Sequence, residues 1–255
     1  MTLLNLSFAA CGFLGIYHLG VACALQKHGH KLLRSVKAFA GASAGALVAT
    51  VLVTGPDKIE HCKEFTYSFA EEVRRQRLGA MTPGYDFMQK LREGMEQILP
   101  PNAHEIAGNC LHVSITHSKT GKNCIVSSFA SREELIKVLL ASSFVPVYAG
   151  INAVEYKGEK WIDGGITNSV PILPEGRTIL ISPFSGQLDI CPEHDGLLNF
   201  NIKVMNQNIM LSKDNFIRLN QALFPPEQKK MEKLCQNGYN DAVRFLRKEN
   251  WFQHC

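Results

Sequence analysis

Two stretches near the start of the chain each join a short apolar run to a longer one across a turn of small residues. Residues 3–9 have the length of a buried strand, and residues 16–27 have that of an apolar helix. Residues 36–40 and 44–53 repeat the arrangement. Because a strand–helix–strand connection is right-handed and makes its strands parallel, we expect both turns at the carboxyl edge of one sheet, where α/β proteins bind ligands.

Helical and strand-like patterns continue through the middle of the chain. Apolar residues at helical spacing predict helices over 57–77 and 85–99, and a capping box at Ser131 to Glu134 opens another that runs to about Ala141. Strands are predicted over 111–116, 124–129 and 178–182, and residues 151–156 and 161–162 are expected to pair around Lys157 and Gly158.

The C-terminal part is predicted to be mostly helical. Residues 197–224 carry an apolar face at Ile202, Ile209, Leu211, Ile217 and Leu219. Pro225 and Pro226 end this segment, and a final amphipathic helix is expected to reach about Lys248. No repeat or low-complexity linker occurs, so we predict a single domain over 1–255, with a motif core over about 3–180 and a helical part over about 197–252.

Composition and charge exclude few functions. Hydrophobic residues make up 45% and charged residues 20% of the chain, which are ordinary globular values. The net charge of +4 is too small to indicate nucleic-acid binding, although it is compatible with an anionic lipid surface. The eight cysteines form no C-x-x-C pair, so they indicate reduced thiols in a cytosolic-type compartment.

Two apolar stretches have to be distinguished from targeting and membrane segments. No lysine or arginine precedes Lys27, so the basic region of a signal peptide is missing and the start is interpreted as mature structure. Residues 38–56 carry no charge, and their length is near the lower limit for a membrane span. Glycine, alanine and serine fill the first half, which favours a buried strand, turn and helix over a transmembrane segment.

The second turn contains a G-x-S-x-G pattern centred on Ser43. A sharp strand-to-helix turn of this kind exposes a serine oxygen, and Gly41 and Gly45 leave room where strand and helix cross. The helix that follows points its positive end at the serine, which favours an oxyanion nearby. The pattern alone is weak, since glycine, alanine and serine also crowd together in tight packing without any catalytic role.

The first turn, Ala10 to Gly15, has three interpretations. Its backbone N–H groups could hold a dinucleotide, but no acidic residue precedes Asp57 to bind the ribose, which counts against NAD. The N–H groups of Cys11, Gly12 and Phe13 could instead form an oxyanion hole beside the serine. The turn could also simply reverse the chain.

A third motif, Asp163-Gly164-Gly165, follows the strand-like residues 161–162. A carboxylate at a strand end with two glycines after it is exposed and tightly placed. An ordinary Asp-Gly turn would give the same sequence.

Together the three motifs A-C-G-F-L-G, G-A-S-A-G and D-G-G resemble those of the patatin-like phospholipases. The stretches Ser7 to Gly20, Ala141 to Pro146 and Trp161 to Gly165 are similar to the adiponutrin and adipose triglyceride lipase branch of that family. The resemblance covers nearly the whole chain. It implies a three-layer α/β/α fold with a central, mostly parallel sheet, and enzymes that hydrolyse or transfer acyl chains of triacylglycerol, phospholipid or retinyl esters.

The resemblance also implies roles for individual residues. Ser43 is the nucleophile and Asp163 its partner in a serine–aspartate dyad without histidine, and an acyl-enzyme forms on Ser43. The oxyanion hole is expected at Cys11, Gly12 and Phe13, and the motif glycines are Gly15, Gly41, Gly45, Gly164 and Gly165. No metal or organic cofactor is implied. Ala10 departs from the glycine of the family motif, and a positive φ at that position would strain the turn.

Partners and location follow from the same resemblance. It implies lipid ester substrates at a membrane or lipid-droplet surface, and an intracellular protein in the cytoplasm or at the surface of a droplet or organelle, mitochondria included.

Only His194 and His254 follow Asp163, and neither comes after a strand, so no histidine is expected to complete a triad. A lipid-binding protein with a vestigial site and a dinucleotide-dependent enzyme remain as alternatives.

Overall fold

A seven-stranded sheet forms the centre of the protein in a computed structural model, which describes residues 3–193, 201–204 and 207–254. Its strands run in the order β5-β6-β3-β2-β1-β7, with β4 also paired to β3. They are β1 (Leu4–Phe8), β2 (Val36–Gly41), β3 (Leu111–His117), β4 (Asn123–Val126), β5 (Val154–Tyr156), β6 (Glu159–Asp163) and β7 (Arg177–Ile181). A separate pair consists of β8 (Asn201–Val204) and β9 (Gln207–Met210).

Helices connect these strands and cover the sheet. They are α1 (Gly15–His28), α2 (His30–Ser35), α3 (Ala44–Thr54), α4 (Ile59–Arg75), α5 (Phe87–Ile98), α6 (Ala103–Ala107), α7 (Arg132–Ser143), α8 (Gly165–Asn168), α9 (Lys213–Leu223) and α10 (Gln228–Lys248). The α/β fold class expected from the sequence is confirmed.

The strands β3, β2, β1 and β7 are parallel to one another. For β1 and β2, this is the arrangement that the sequence predicts. In the register, Phe8 pairs with Gly41, and Gly41 pairs with Val113. The turns after β1 and β2 therefore leave the sheet side by side, as the right-handed connection predicts.

Antiparallel strands extend the sheet beyond β3. β5 and β6 form the expected hairpin, in which Lys157 and Gly158 both have positive φ, as a type I′ turn requires. β6 then runs antiparallel to β3, with Asp163 opposite Ile115. Gly41 pairs with Val113, and Asp163 pairs with Ile115, which is two residues further along β3. Ser43 is also two residues beyond Gly41. Asp163 and Ser43 therefore lie at the same height along the sheet.

Helix α3 is almost entirely buried, because apolar neighbours surround it on all sides. It contacts β1, β2 and β3 as well as α1, α6 and α7. The uncharged stretch 38–56 is thus explained as β2, the turn and α3. Among the described residues, no helix combines the length and the apolar character that crossing a bilayer requires.

The expectation of a mostly helical segment from residue 197 is wrong for the part that the structure describes before α9. Residues 201–204 and 207–210 form the β8–β9 hairpin, while 197–200 lie outside the described residues. Ile202 and Ile209, for which the sequence pattern predicts one helical face, pair across the hairpin instead. The pattern misled because a spacing of seven fits two helical turns as well as paired strands.

The apolar face expected on the helix before Pro225 exists, but α9 does not bury it. Ile217 and Leu219 are 42% and 56% exposed, and Leu211 just before the helix is 66% exposed. Helix α10 does follow as predicted and packs closely along α1, and Trp251 and Phe252 pack against the core beyond it.

Candidate active site

The turn between β2 and α3 holds Ser43 in a backbone conformation that side chains rarely adopt. Its φ is 53° and its ψ is −131°. Such a conformation costs roughly 1–3 kcal/mol and persists only where the surroundings impose it. A Cβ on Gly41 would lie 2.6 Å from Ala46 N, and one on Gly45 would lie 2.6 Å from Ala9 O. Both glycines are therefore needed for the close crossing of strand and helix, as the sequence predicts.

Asp163 lies beside Ser43, although the two residues are 120 positions apart. The Asp163 side chain is buried, so the expectation that it is exposed is wrong. Burial raises its pKa to about 6, while hydrogen bonds from the Ser43 hydroxyl and the Gly165 N–H act to lower it. The Gly165 N–H donates to Oδ1 at 2.6 Å. The carboxylate is thus held in place and remains largely ionised at neutral pH.

Ser142 connects the serine turn to the aspartate turn. Its Oγ accepts a hydrogen bond from Ser43 N at 2.9 Å and donates to Ser114 O at 2.7 Å. Its carbonyl accepts from Gly164 N at 3.3 Å. The sequence gives no signal for this bracing role, because nothing along the chain shows that α7 reaches both turns.

The turn after β1 is a 3₁₀ helix, Gly12–Leu14, next to Ser43 and Asp163 in one cavity. Its first internal hydrogen bond runs from Leu14 N to Cys11 O at 3.0 Å. The N–H groups of Cys11, Gly12 and Phe13 therefore precede the hydrogen-bonded part of the helix, and the position is that of an anion-binding helix start. Their use as an oxyanion hole stays a prediction.

Gly12, and not Ala10, occupies the special backbone position of this turn. Gly12 has a φ of +53°, whereas Ala10 is not among the described residues with positive φ. The strain considered for Ala10 is therefore absent. Instead, the Ala10 methyl lies 2.5 Å from the place a Cβ on Gly165 would take, so a small residue at 165 accommodates it.

The remaining motif glycines lie where neighbouring chain segments touch. A Cβ on Gly15 would lie 3.1 Å from the Ala44 methyl, so α1 and α3 meet there. One on Gly164 would collide with Ser114 O. These contacts draw the three motifs together around one point.

The Cys11 thiol is the other reactive group near Asp163. Burial, and next the adjacent Asp163 carboxylate, raise its pKa well above the ordinary value. A thiol in this environment stays protonated at neutral pH and is a poor nucleophile. Ser43 is thus the better placed of the two.

An apolar cavity of about 530 Å³ opens beside Ser43 and Asp163. It follows α3 past Leu47 and Val48 to Val51, which is about 12 Å along the helix axis from Ser43. Its walls come mainly from aliphatic and aromatic side chains of α4, α5, α9 and the loop between α7 and β5. Among them are Phe65, Phe69, Leu91, Met95, Tyr148 and Leu219. Among the cavity-lining residues of the described chain, none is histidine.

His18 is a supporting residue that the sequence reasoning did not single out. It is fully buried in α1, and burial lowers its pKa to about 4. Its Nε2 lies 2.9 Å from Ala9 O, directly before the turn that carries Gly12. The signal available in the sequence is a histidine within the otherwise apolar residues 15–25.

The family follows from comparison with known proteins. A family model described as patatin-like phospholipase matches residues 6–174, which is more than half of the chain. The chain belongs to the patatin-like phospholipase family. It is 67% identical over 98% of its length to patatin-like phospholipase domain-containing protein 4 from Homo sapiens, and covers 99% of that protein.

Longer members of the family are also similar to it. Patatin-like phospholipase domain-containing protein 2 from Homo sapiens is 39% identical over 96% of this chain, and 1-acylglycerol-3-phosphate O-acyltransferase PNPLA3 from Homo sapiens is 34% identical over 95%. The chain spans 48% and 50% of those two proteins. The resemblance inferred from the three motifs is therefore confirmed.

Comparison with a solved structure supports the fold alone. VipD from Legionella pneumophila superposes with a TM-score of 0.51 over 97% of this chain and 67% of its own, at 14% sequence identity. The family assignment favours lipid ester chemistry over the dinucleotide interpretation of the first turn.

Proposed function

We propose that this chain hydrolyses or transfers acyl groups of lipid esters through an acyl intermediate on Ser43. The observation that carries the proposal is the Ser43 hydroxyl on the buried Asp163 carboxylate, at one end of an apolar cavity. The positive helix start at Gly12 lies beside them. This arrangement has a nucleophile, a base, an anion site and room for an acyl chain.

In acylation, Asp163 takes the proton of Ser43 as Oγ attacks the ester carbonyl. Negative charge develops on the carbonyl oxygen, which the N–H groups of Cys11, Gly12 and Phe13 are proposed to bind. When the tetrahedral intermediate collapses, the leaving alcohol receives the proton from Asp163, and the acyl group stays on Ser43.

In deacylation, the same groups act on a second molecule. Asp163 takes a proton from water or an alcohol as its oxygen attacks the acyl-Ser43 carbonyl. Collapse of the intermediate returns the proton to Ser43 Oγ and releases a fatty acid or a new ester. Water gives hydrolysis, and an alcohol gives acyl transfer.

Long acyl chains fit the cavity better than polar substrates do. The lining along α3 and α5 is apolar, so each methylene of an acyl chain that is buried there stabilises the bound substrate by about 0.8 kcal/mol. Triacylglycerol, phospholipid and retinyl esters all offer such chains. The choice among them depends on the alcohol portion, which lies outside this apolar region.

A product profile tests the function. Purified protein is incubated with radiolabelled triacylglycerol, phospholipid and retinyl ester, with and without glycerol or retinol as acceptor. We expect fatty acid, and new ester when an acceptor is present, with neither in the Ser43→Ala variant. If the wild-type chain binds the lipids but forms neither product and resists a fluorophosphonate probe, it is a lipid-binding protein with a vestigial site.

The pKa of Asp163 predicts the pH dependence of the reaction. Only the ionised carboxylate accepts the Ser43 proton, and its pKa is raised to about 6. We therefore expect kcat/KM on a soluble ester to rise with pH through about 6 and to level off above it, falling about tenfold per pH unit on the acid side. A profile from pH 4 to 9 checks this, and an acid limb centred at pH 4 would show that Asp163 is not desolvated.

Exposed apolar side chains at the cavity mouth favour a substrate in a lipid surface. Leu211, Phe216 and Leu219 line the cavity and are 66%, 73% and 56% exposed, and Ile166 joins them from α8. Soluble proteins rarely expose such a cluster without a partner. Because this cluster is continuous with the cavity, we propose that it contacts the lipid surface that contains the substrate.

Replacing Phe216 and Leu219 by serine is therefore expected to weaken binding to lipid emulsions at least tenfold, because each buried apolar side chain contributes about 1.5–3 kcal/mol. Flotation of the Ser43→Ala protein with triolein–phosphatidylcholine emulsions measures this without turnover. Ile106→Ser is the control, since Ile106 is 40% exposed but lies on α6, before the amino end of β3. Equal loss in both variants would show that the mouth is not the docking site.

A further inference from the structure

Ser143 carries a buried hydroxyl that has no partner beside the catalytic pair. Among the described residues, the buried side-chain atoms without a hydrogen bond belong to Ser7, His18, Tyr85, His104, Arg132 and Ser143. Of these residues, only Ser143 lines the cavity that holds Ser43 and Asp163. An unpaired buried hydroxyl costs roughly 1–3 kcal/mol, so its presence here calls for a ligand.

The neighbours of Ser143 fix its position between the nucleophile and the base. Ser142, one residue before it, binds Ser43 N at 2.9 Å. Phe144, one residue after it, accepts a hydrogen bond from Asp163 N at 2.8 Å. The backbone of residues 142–144 therefore bridges the two catalytic residues, and the side chain of the middle residue lines the cavity between these anchors.

Other polar side chains in the cavity already have partners. Thr50 Oγ1 donates to Ala46 O at 2.7 Å, and Asn215 bonds to the backbone of Ser185 and Met210. The side chains of Ser169 and Gln207 bond to each other. Among the described residues, Ser143 is thus the cavity-lining hydroxyl or amide side chain, apart from the catalytic groups, that is buried without any hydrogen-bond partner.

We propose that Ser143 Oγ forms a subsite for the water that attacks the acyl-Ser43 intermediate, and so favours hydrolysis over acyl transfer. The proposal rests on the proposed function. Ser143 lines the cavity but is only 7% exposed and its Oγ is enclosed, so the subsite requires a change of the χ1 rotamer that presents Oγ to the cavity.

The chemistry of the two acceptors explains the preference. Water has two hydrogens, of which one goes to the Asp163 carboxylate and the other can be donated to a lone pair of Ser143 Oγ. As the water oxygen bonds to the acyl carbon, the Ser43 Oγ bond to that carbon breaks, and Asp163 returns the proton to Ser43. A monohydric alcohol carries an alkyl group in place of that second hydrogen, so its attacking oxygen has no hydrogen left to donate to Ser143 once Asp163 accepts the first.

The ratio of fatty acid to new ester tests this subsite, because both products come from the same acyl intermediate. The ratio does not depend on the amount of folded enzyme or on the acylation rate. Each variant is given one soluble p-nitrophenyl ester with a fixed concentration of 1-propanol, an acceptor with one hydroxyl group. Ser143→Ala should lower the ratio about three- to tenfold, the effect of one neutral hydrogen bond.

Two further variants separate this effect from a change in packing. Ser143→Thr keeps the hydroxyl and should hold the ratio within twofold of the wild-type value. Thr50→Val removes a cavity hydroxyl that already has a partner, and should also leave the ratio unchanged. An unchanged or higher ratio in Ser143→Ala would overturn the subsite and leave the proposed function intact. If the wild-type chain forms neither product, the proposed function fails and the subsite with it.

Discussion

Asp163→Asn is expected to abolish turnover as completely as Ser43→Ala, by a factor of at least about a thousand. The carboxamide keeps the size of the side chain but cannot accept the Ser43 proton, and general-base catalysis alone contributes about 10²–10⁴-fold. Turnover of both variants on one soluble ester, with folding checked by circular dichroism, measures the effect. Asp163→Asn with more than a tenth of wild-type turnover would contradict the dyad.

Histidine variants are the matched controls for this result. His254 is exposed and packs against the Phe252 ring, far along the chain from any site residue. We expect His254→Ala and His194→Ala to keep most of the activity. His194 lies outside the described residues, so its variant is the more informative of the two. If His194→Ala loses as much activity as Ser43→Ala, the site uses a conventional triad and not a dyad.

Gly12→Ala is expected to lower kcat by about a hundred- to a thousandfold, the usual effect of losing one oxyanion-hole donor. The backbone at Gly12 has a φ of +53°, and a Cβ there would collide with Ala222 O on α9. Turn and helix must therefore move apart, which displaces the N–H groups next to Ser43. Turnover on a soluble ester and the melting temperature of the same sample measure the catalytic and structural effects together.

Gly121→Ala separates backbone strain from damage to the site. Gly121 has a similar φ of +65°, and a Cβ there meets nothing within 4 Å. We expect a small loss of stability with full activity. If Gly12→Ala reduces activity no more than Gly121→Ala does, the turn after β1 is not the oxyanion hole.

Local chemistry explains why the core of the site is predictable from the sequence. The crossing of β2 and α3 leaves no room for a side chain at Gly41 or Gly45. The glycines of the motif therefore indicate the close crossing directly from the sequence. The parallel pairing of β1 with β2 follows from the handedness of one connecting helix. Both features depend on fewer than fifty consecutive residues.

Features that depend on distant contacts are not predictable from local patterns, and the pairing of Asp163 with Ser43 was implied only by the family resemblance. Asp163 meets Ser43 because β6 runs antiparallel to β3, an orientation that no local pattern specifies. Ser142 and Ser143 gain their positions only when α7 packs beside both turns. The β8–β9 hairpin is fixed by contacts such as Met210 N to Ser185 O at 2.8 Å, which override the local helical spacing.

The sequence predicts the apolar face of α9 but not what covers it. Periodic apolar residues predict burial in a folded chain, but they do not say against what. Asn215 and Ala222 turn to the protein, while Phe216 and Leu219 face outward at the cavity mouth. A sequence pattern cannot distinguish a core from a lipid surface.

Trapping the acyl intermediate tests the central claim most directly. The protein is mixed with an emulsified long-chain ester and quenched in acid within one turnover, and its peptides are analysed by mass spectrometry. We expect the acyl mass on the peptide that contains Ser43, and its absence from the Ser43→Ala protein. An acyl group on another residue, or rapid product formation with no adduct on Ser43, would contradict the account.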